Sequence, residues 1–477
     1  MQGPPPQWQQ RPPERRRRTG LWVTLGVLSL VLVVAVGAGV GLVLRGGGAA
    51  GPAPERELAA AATGGADPQA VVVSDEEINA LMAAHGRALA AGDAKQFTSI
   101  FDQKNTALVR EQSRVFANLR KVPMIETSYQ VLRRVGRAED NFGRGVKFEQ
   151  DVAFVHRIAG IDLRPVTEWY RWTIEKASAG APLVVTKVGG APPPFSAGGG
   201  SKTVYYPGPW DIWPDISLVQ AGSSIILARP QDAALARRIA PTVAGATSDV
   251  RDFWQRSGEQ GAPVPAGFVV ALADGPAQLG NLFRKEKVTG EAGVSIPMPS
   301  WGLGDDVKIG GTRIVLDAAS DFFDSGQGIK EVTTHEFAHS LVASLDSAGF
   351  SLFGKPNWII EGFAEYVANR GRPINQNLRF DEGQAYLAGR FPLPFEGRLP
   401  DNTTWTYKGM GSLNYFMGHL AIRYAAERYG ERKLVGAVVA AYRADGDESE
   451  SAFFQALGVG KANFERQWAD YARRQLT

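Results

Sequence analysis

The chain of 477 residues contains only five histidines, and two of them, His335 and His339, stand four apart in TTHEFAHSLVAS with Glu336 directly after the first. With glutamate near roughly 5% of residues, chance supplies His-Glu-x-x-His about 0.003 times in a chain of this composition, so the spacing calls for a mechanism. On a helix that advances ~100° per residue, positions four apart lie about 40° from each other on one face. Two imidazoles so placed can share one zinc ion, and the glutamate between them can reach a metal-bound water without ligating. Phe337, Ala338, Leu341 and Leu345 cluster on the other side of the same wheel and would face a core. The plain alternative is a surface helix with incidental histidines.

A catalytic zinc takes three protein ligands and keeps one open position, so a third ligand must come from elsewhere in the chain. Cysteine is absent, which excludes disulfides and thiolate sites and leaves His, Asp, Glu or water. The stretch PNWIIEGFAEYVANRGRP supplies candidates: Pro356 opens a helix, Gly371 and Pro373 close it, and Glu361 and Glu365 fall one turn apart. Glu361 on the metal and Glu365 hydrogen-bonded to a ligand imidazole would give both acids a use. Otherwise they are two solvated acids on an aromatic-rich helix.

HEFAH followed by WIIEGFAEY resembles the gluzincin metallopeptidases of the peptidase MA group, in which His-Glu-x-x-His and a downstream Trp-x-x-Glu-Gly-x-Ala-Glu segment form the zinc site. The resemblance implies zinc ligands His335, His339 and Glu361, with Glu336 as general base. Glu361 follows His339 by 22 residues, a longer gap than in the aminopeptidases of that group; a short insertion about Ser347 to Lys355 accounts for it. SLNYFMGHLAIRYAAERYG, residues 412–430, resembles the family's later helix, whose leading tyrosine, here Tyr415, donates to the oxyanion; His419, one turn on, is the alternative donor. TRIVLD, residues 312–317, would be the sheet edge along which an extended peptide lies, or else a buried strand. The Gly-x-Met-Glu-Asn segment that holds a substrate's free amine in the aminopeptidases is missing, and GVSIPMPS at 293–300 carries no acid in that region. An endopeptidase or a narrow-specificity processing enzyme is therefore expected. The resemblance spans about 203–477.

These motifs need a scaffold. The length suggests two folded units plus linkers, since single cores stop growing near ~250–300 residues. The predicted fold class is α+β. Within 203–477, strand-like SSIILA (223–228), FVVALA (268–273) and TRIVLD alternate with a helical run from Gln231 to about Gln255, and the pattern is helical from residue 329 nearly to the end. The terminal helices ERKLVGAVVAAY and ANFERQWADYARRQ resemble the family's closing bundle. Upstream, Ser74 and Glu77 form a capping box that opens a helix with Ile78, Leu81, Met82, His85 and Leu89 on one face, and Gly92 is a plausible stop. Period-two segments follow through Val146 to Phe154, Tyr170 to Ile174 and LVVTKV at 183–188. A helix followed by a curved antiparallel sheet resembles the NTF2-like superfamily in architecture, over 74–188. His85 and His156 read as packed or edge histidines. The Pro/Gly stretch 189–202 separates the two units.

At the front, residues 1–20 are Pro/Gln-rich and basic and read as a disordered cytoplasmic tail. Leu21 to Leu44 is an uncharged run of 24 residues that would span about 36 Å as a helix, enough for a bilayer. Arg11 and Arg15 to Arg18 precede it, while only Arg45 and Arg56 occur in the twenty residues after it, which orients the N-terminus to the cytoplasm. A cleaved signal peptide is the competing reading, with a shorter apolar segment of ~7–15 residues. Residues 45–73 read as a flexible spacer. The net charge of +3 is small and gives no support to a nucleic-acid partner.

The expectation is a membrane-anchored extracytoplasmic zinc peptidase acting on peptides or proteins. Its rivals are a non-catalytic cell-envelope binding module on the same fold, and a zinc hydrolase of a non-peptide amide.

Overall fold

The computed structural model describes residues 71–133, 145–193, 203–258, 263–285, 288, 291–301, 308–345, 355–405, 407 and 409–477. The membrane span expected over 21–44, the tail before it and most of the spacer lie outside the described residues, as do 194–202 of the inter-unit linker and most of the insertion about Ser347 to Lys355.

The first unit is built as its local signals require. Helix α1 (Asp75–Ala91) starts where Ser74 Oγ accepts from the Glu77 N–H at 3.2 Å and Glu77 Oε2 accepts from the Ser74 N–H at 3.0 Å. It stops at Gly92, whose φ of 74° suits a residue without Cβ. Helices α2 (Ala94–Thr98) and α3 (Thr106–Leu119) follow. Then come strands β1 (Met124–Arg133), β2 (Val146–Ile158), β3 (Val166–Lys176) and β4 (Val184–Gly190), an antiparallel sheet in sequence order. The period-two segments are β2, β3 and β4. Strand β1 escaped the pattern because register shifts between Ile125 and Ser128 and between Val131 and Arg133 break its alternation.

A short helix α4 (Pro209–Ile212) leads into the second sheet: β5 (Ser217–Ala221), β6 (Ser224–Ala228), helix α5 (Ala233–Ser257), β7 (Val269–Ala273), helix α6 (Pro276–Asn281), β8 (Gly293–Pro299) and β9 (Ile309–Asp317). The order is β5-β6-β7-β9-β8, with β6, β7 and β9 parallel and both outer strands antiparallel. TRIVLD is thus an inner strand, buried throughout, and the edge it was expected to form belongs to β8. Pairing decides this: β9 bonds β7 on one side and β8 on the other, which leaves the earlier strand outside.

Helices α7 (Gly326–Val342), α8 (Asn357–Ala368), α9 (Phe380–Leu387), α10 (Asn402–Trp405), α11 (Gly411–Tyr429), α12 (Glu431–Arg443), α13 (Ser449–Leu457) and α14 (Lys461–Leu476) complete the chain. Alternation along the inner strands feeds two cores. Ile226, Val270, Leu272, Ile314 and Leu316 pack with the helical layer, while Ile225, Leu227, Val269, Ala271 and Val315 pack into the same core as the first unit's Phe154, Trp169 and Ile174. The sheet is therefore sandwiched between its helices and the first unit. Across that joint Leu163 N–H donates to Gly310 C=O at 2.8 Å, and Arg313 makes a buried pair with Asp162 at 2.7 and 2.9 Å. Trp210 of α4 donates its indole N–H to Glu168 on β3 at 3.0 Å.

The expected plan of a transmembrane helix followed by two α+β domains needs correction. Two sheets and fourteen α-helices are present among the described residues, and none of these helices is long and apolar enough to cross a membrane.

Candidate metal centre

Helix α7 begins where Ser325 Oγ accepts from the Gly328 N–H at 3.0 Å. Its inner face, Phe337, Ala338 and Leu341, is fully packed, with Phe337 stacked on Phe268 at 4.2 Å. That fixes the helix's rotation and turns His335 and His339 toward α8. Helix α8 is capped by Pro356 and buried along nearly its whole length. Gly362 lets it approach α11: a Cβ there would lie 2.6 Å from Gly418 O, so only glycine permits this crossing. The close crossing brings Glu361, and Tyr415 one turn before Gly418, to the histidines.

Three donor atoms converge. His335 Nε2 and His339 Nε2 are 3.1 Å apart, and each is 3.3 Å from Glu361 Oε2. This group can hold a metal ion, and no second such group exists among the described residues. Behind it, His335 Nδ1 lies 3.3 Å from Glu365 Oε1, so Glu365 orients the imidazole from its far side. Glu365 also accepts from Arg379 at 3.0 Å and from Asn369 Nδ2 at 3.3 Å.

The electrostatics favour a cation. Burial works against charge on His335, yet its contacts to Glu361 and Glu365 outweigh that and lift its pKa to about 10. Burial likewise raises Glu361, but His339 and His335 overcome it and hold the carboxyl at about 2. Glu365 is also held low against burial, by Arg379 and His335. Glu336 differs: it is buried, and burial outweighs the attraction of His335 and His339 and pushes its pKa up. A raised carboxyl beside the ligands is poised to accept and return a proton.

The remaining candidates separate. Tyr415 has its ring 6.1 Å from that of His335 and 4.8 Å from that of Trp405, beside the ligands. His419 is buried; its Nδ1 accepts from Asn377 Nδ2 at 3.2 Å, and its charge environment is dominated by Glu365 and by Arg423, Arg379 and Arg372. That bond ties α11 to the turn at Asn377.

Strand β8 runs past Glu336. A Cβ on Gly293 would meet Glu336 Cγ at 2.9 Å. The Asp317 N–H donates to Ala292 C=O at 2.8 Å, so by antiparallel alternation residues 294, 296 and 298 bond toward β9, and the backbone groups of Gly293 and Ser295 point away from the sheet. Just upstream stands an acid the motifs did not reveal: Glu291, buried, paired with Arg284 at 2.6 Å and near enough to raise Glu336 further. Arg379 and Asn377 were also missed, since neither occupies a periodic position. One signal for the edge was present: Pro297 and Pro299 within a strand, which an inner strand does not tolerate.

No protein-family model matches the chain, and no curated protein is similar to it at a significant level.

Proposed function

We propose that the chain is a zinc-dependent peptidase of the gluzincin type, cleaving within extended peptides. The observation that carries this is the triangle of 3.1, 3.3 and 3.3 Å made by His335 Nε2, His339 Nε2 and Glu361 Oε2. Ligand atoms ~2.0–2.2 Å from a tetrahedral zinc are spaced at about 3.3 Å, and two imidazoles with one carboxylate are the set of a catalytic site with an open fourth position. Zinc bound there would acidify a water and polarise the scissile carbonyl.

The chain's own residues supply the rest. Glu336, raised by burial, takes the proton from the attacking water and returns it to the leaving amine. Tyr415, beside His335, donates to the oxyanion, and Glu365 holds His335 in register from behind.

The test takes the full chain, its His335→Ala variant and its Glu336→Gln variant, and measures zinc per chain and cleavage of unstructured protein and quenched peptides. Wild type should carry one zinc that His335→Ala loses, while Glu336→Gln keeps the metal and loses turnover. A Glu336→Gln variant of full activity would remove the general base, and a wild type that refuses zinc would remove the reading altogether.

A further inference from the structure

Arg379 lies outside every motif, in the turn between α8 and α9, yet its guanidinium serves two groups. Its Nη1 donates to Glu365 Oε1 at 3.0 Å, the same oxygen that faces His335 Nδ1 at 3.3 Å. Its Cζ stands over the Tyr415 ring at 5.3 Å from the centroid. The turn is itself held: Asn377 Oδ1 accepts from the Arg379 N–H at 2.9 Å, and Asn377 Nδ2 donates to His419 Nδ1 at 3.2 Å. Side chains from α8, α11 and this turn therefore converge on one cation.

We propose that Arg379 is a positioning residue that couples the metal-ligand half of the site, through Glu365 and His335, to the Tyr415 half, with His419 and Asn377 holding its turn in place. The coupling to Tyr415 deepens the peptidase reading and rests on it; the coupling to His335 needs only that the cluster binds metal. The chemistry needs arginine in particular. A planar fork can donate to a carboxylate in its own plane while its face covers a ring, whereas a compact ammonium meets one partner or the other.

The experiment measures zinc affinity, by competition with a chromophoric chelator, and turnover of a quenched peptide for the full chain and for Arg379→Met, Arg379→Lys and Tyr415→Phe, alone and combined. Arg379→Met should bind zinc several-fold more weakly, short of the ~10-fold or more expected for loss of Glu365 itself, the direct outer partner of His335. Arg379→Lys should recover most of that affinity, because a charge still meets Glu365, while kcat stays about 10-fold low. Adding Tyr415→Phe to Arg379→Lys should then cost less than it does in wild type, since partners in one network are not additive. Unchanged zinc affinity in Arg379→Met, or equal losses in Met and Lys together with a lowered melting temperature, would overturn the proposal and leave Arg379 a structural residue. A wild type without zinc fails at the earlier step and takes the peptidase reading down with it.

Discussion

A Cβ built on Gly293 would lie 2.9 Å from Glu336 Cγ and 3.0 Å from its Oε1, with Leu316 Cδ2 at 3.0 Å on another side. Glu336 is buried, so its carboxyl has little room to retreat. Gly293→Ala should therefore push the proposed base out of line, while the candidate ligands His335 and His339 on the same helix and Glu361 on α8 keep their places, because the three atoms nearest that Cβ belong to Glu336 and Leu316. A misplacement of about 1 Å in a reacting group costs ~10²-fold in rate. The expected outcome is zinc content equal to wild type and turnover down by that order; equal turnover would show that Glu336 is not the group the edge strand positions. At this scale much was legible beforehand. The helical period alone puts His335 beside His339 and Glu361 beside Glu365, because spacing of four needs no tertiary information. Arg379, Asn377 and Glu291 sit in turns or at a strand's approach, where chain path rather than period decides what a side chain meets.

Helices α8 and α11 set the distance between Glu361 and Tyr415, and they do so through two glycines. A Cβ on Gly362 would stand 2.6 Å from Gly418 O and 2.7 Å from Gly418 C, both backbone atoms that cannot turn aside. Gly362→Ala must separate the helices by a few tenths of an ångström or more, and overpacking of this kind costs about 1–3 kcal/mol. A urea midpoint lowered by the corresponding amount, with turnover falling further than zinc affinity, is the expected result. An unchanged midpoint would mean the crossing relaxes without strain and that Gly362 serves something other than close approach. The glycine in WIIEGFAEY thus has a packing reason independent of any resemblance. Element identity was readable from the amino acids in most of this unit, whereas the rank of strands was not. FVVALA is wholly apolar and TRIVLD carries Thr312, Arg313 and Asp317, yet both are inner strands, and beyond Pro297 and Pro299 nothing in the amino acids ranks β8 outside them.

The division into two units at 189–202 suggests a second half that could stand alone, yet the core is continuous across that boundary. Ile225, Leu227, Val269, Ala271, Val294, Ile296, Met298 and Val315 of the second sheet are buried in one core with the first unit's aromatic residues. Arg313, fully buried on β9, has its carboxylate partner Asp162 in the first unit. A fragment of 203–477 would lay that sheet face open to water and leave Arg313 without its partner. Breaking a buried ion pair costs about 3–5 kcal/mol, a large part of a total stability of ~5–15 kcal/mol, before the exposed apolar face is counted. We expect the fragment to aggregate or to melt without cooperativity and to bind zinc poorly, while the full chain melts cooperatively. Thermal melts by circular dichroism and zinc content of the two proteins side by side decide the matter. A fragment that is monomeric, melts as sharply as the full chain and keeps its zinc would show that the first unit is an appended domain, free to have a task of its own. Failure of the fragment alone makes the first unit part of the scaffold, because β9, which carries Arg313, leads through the turn at Ser320–Ser325 into α7 and its two histidines.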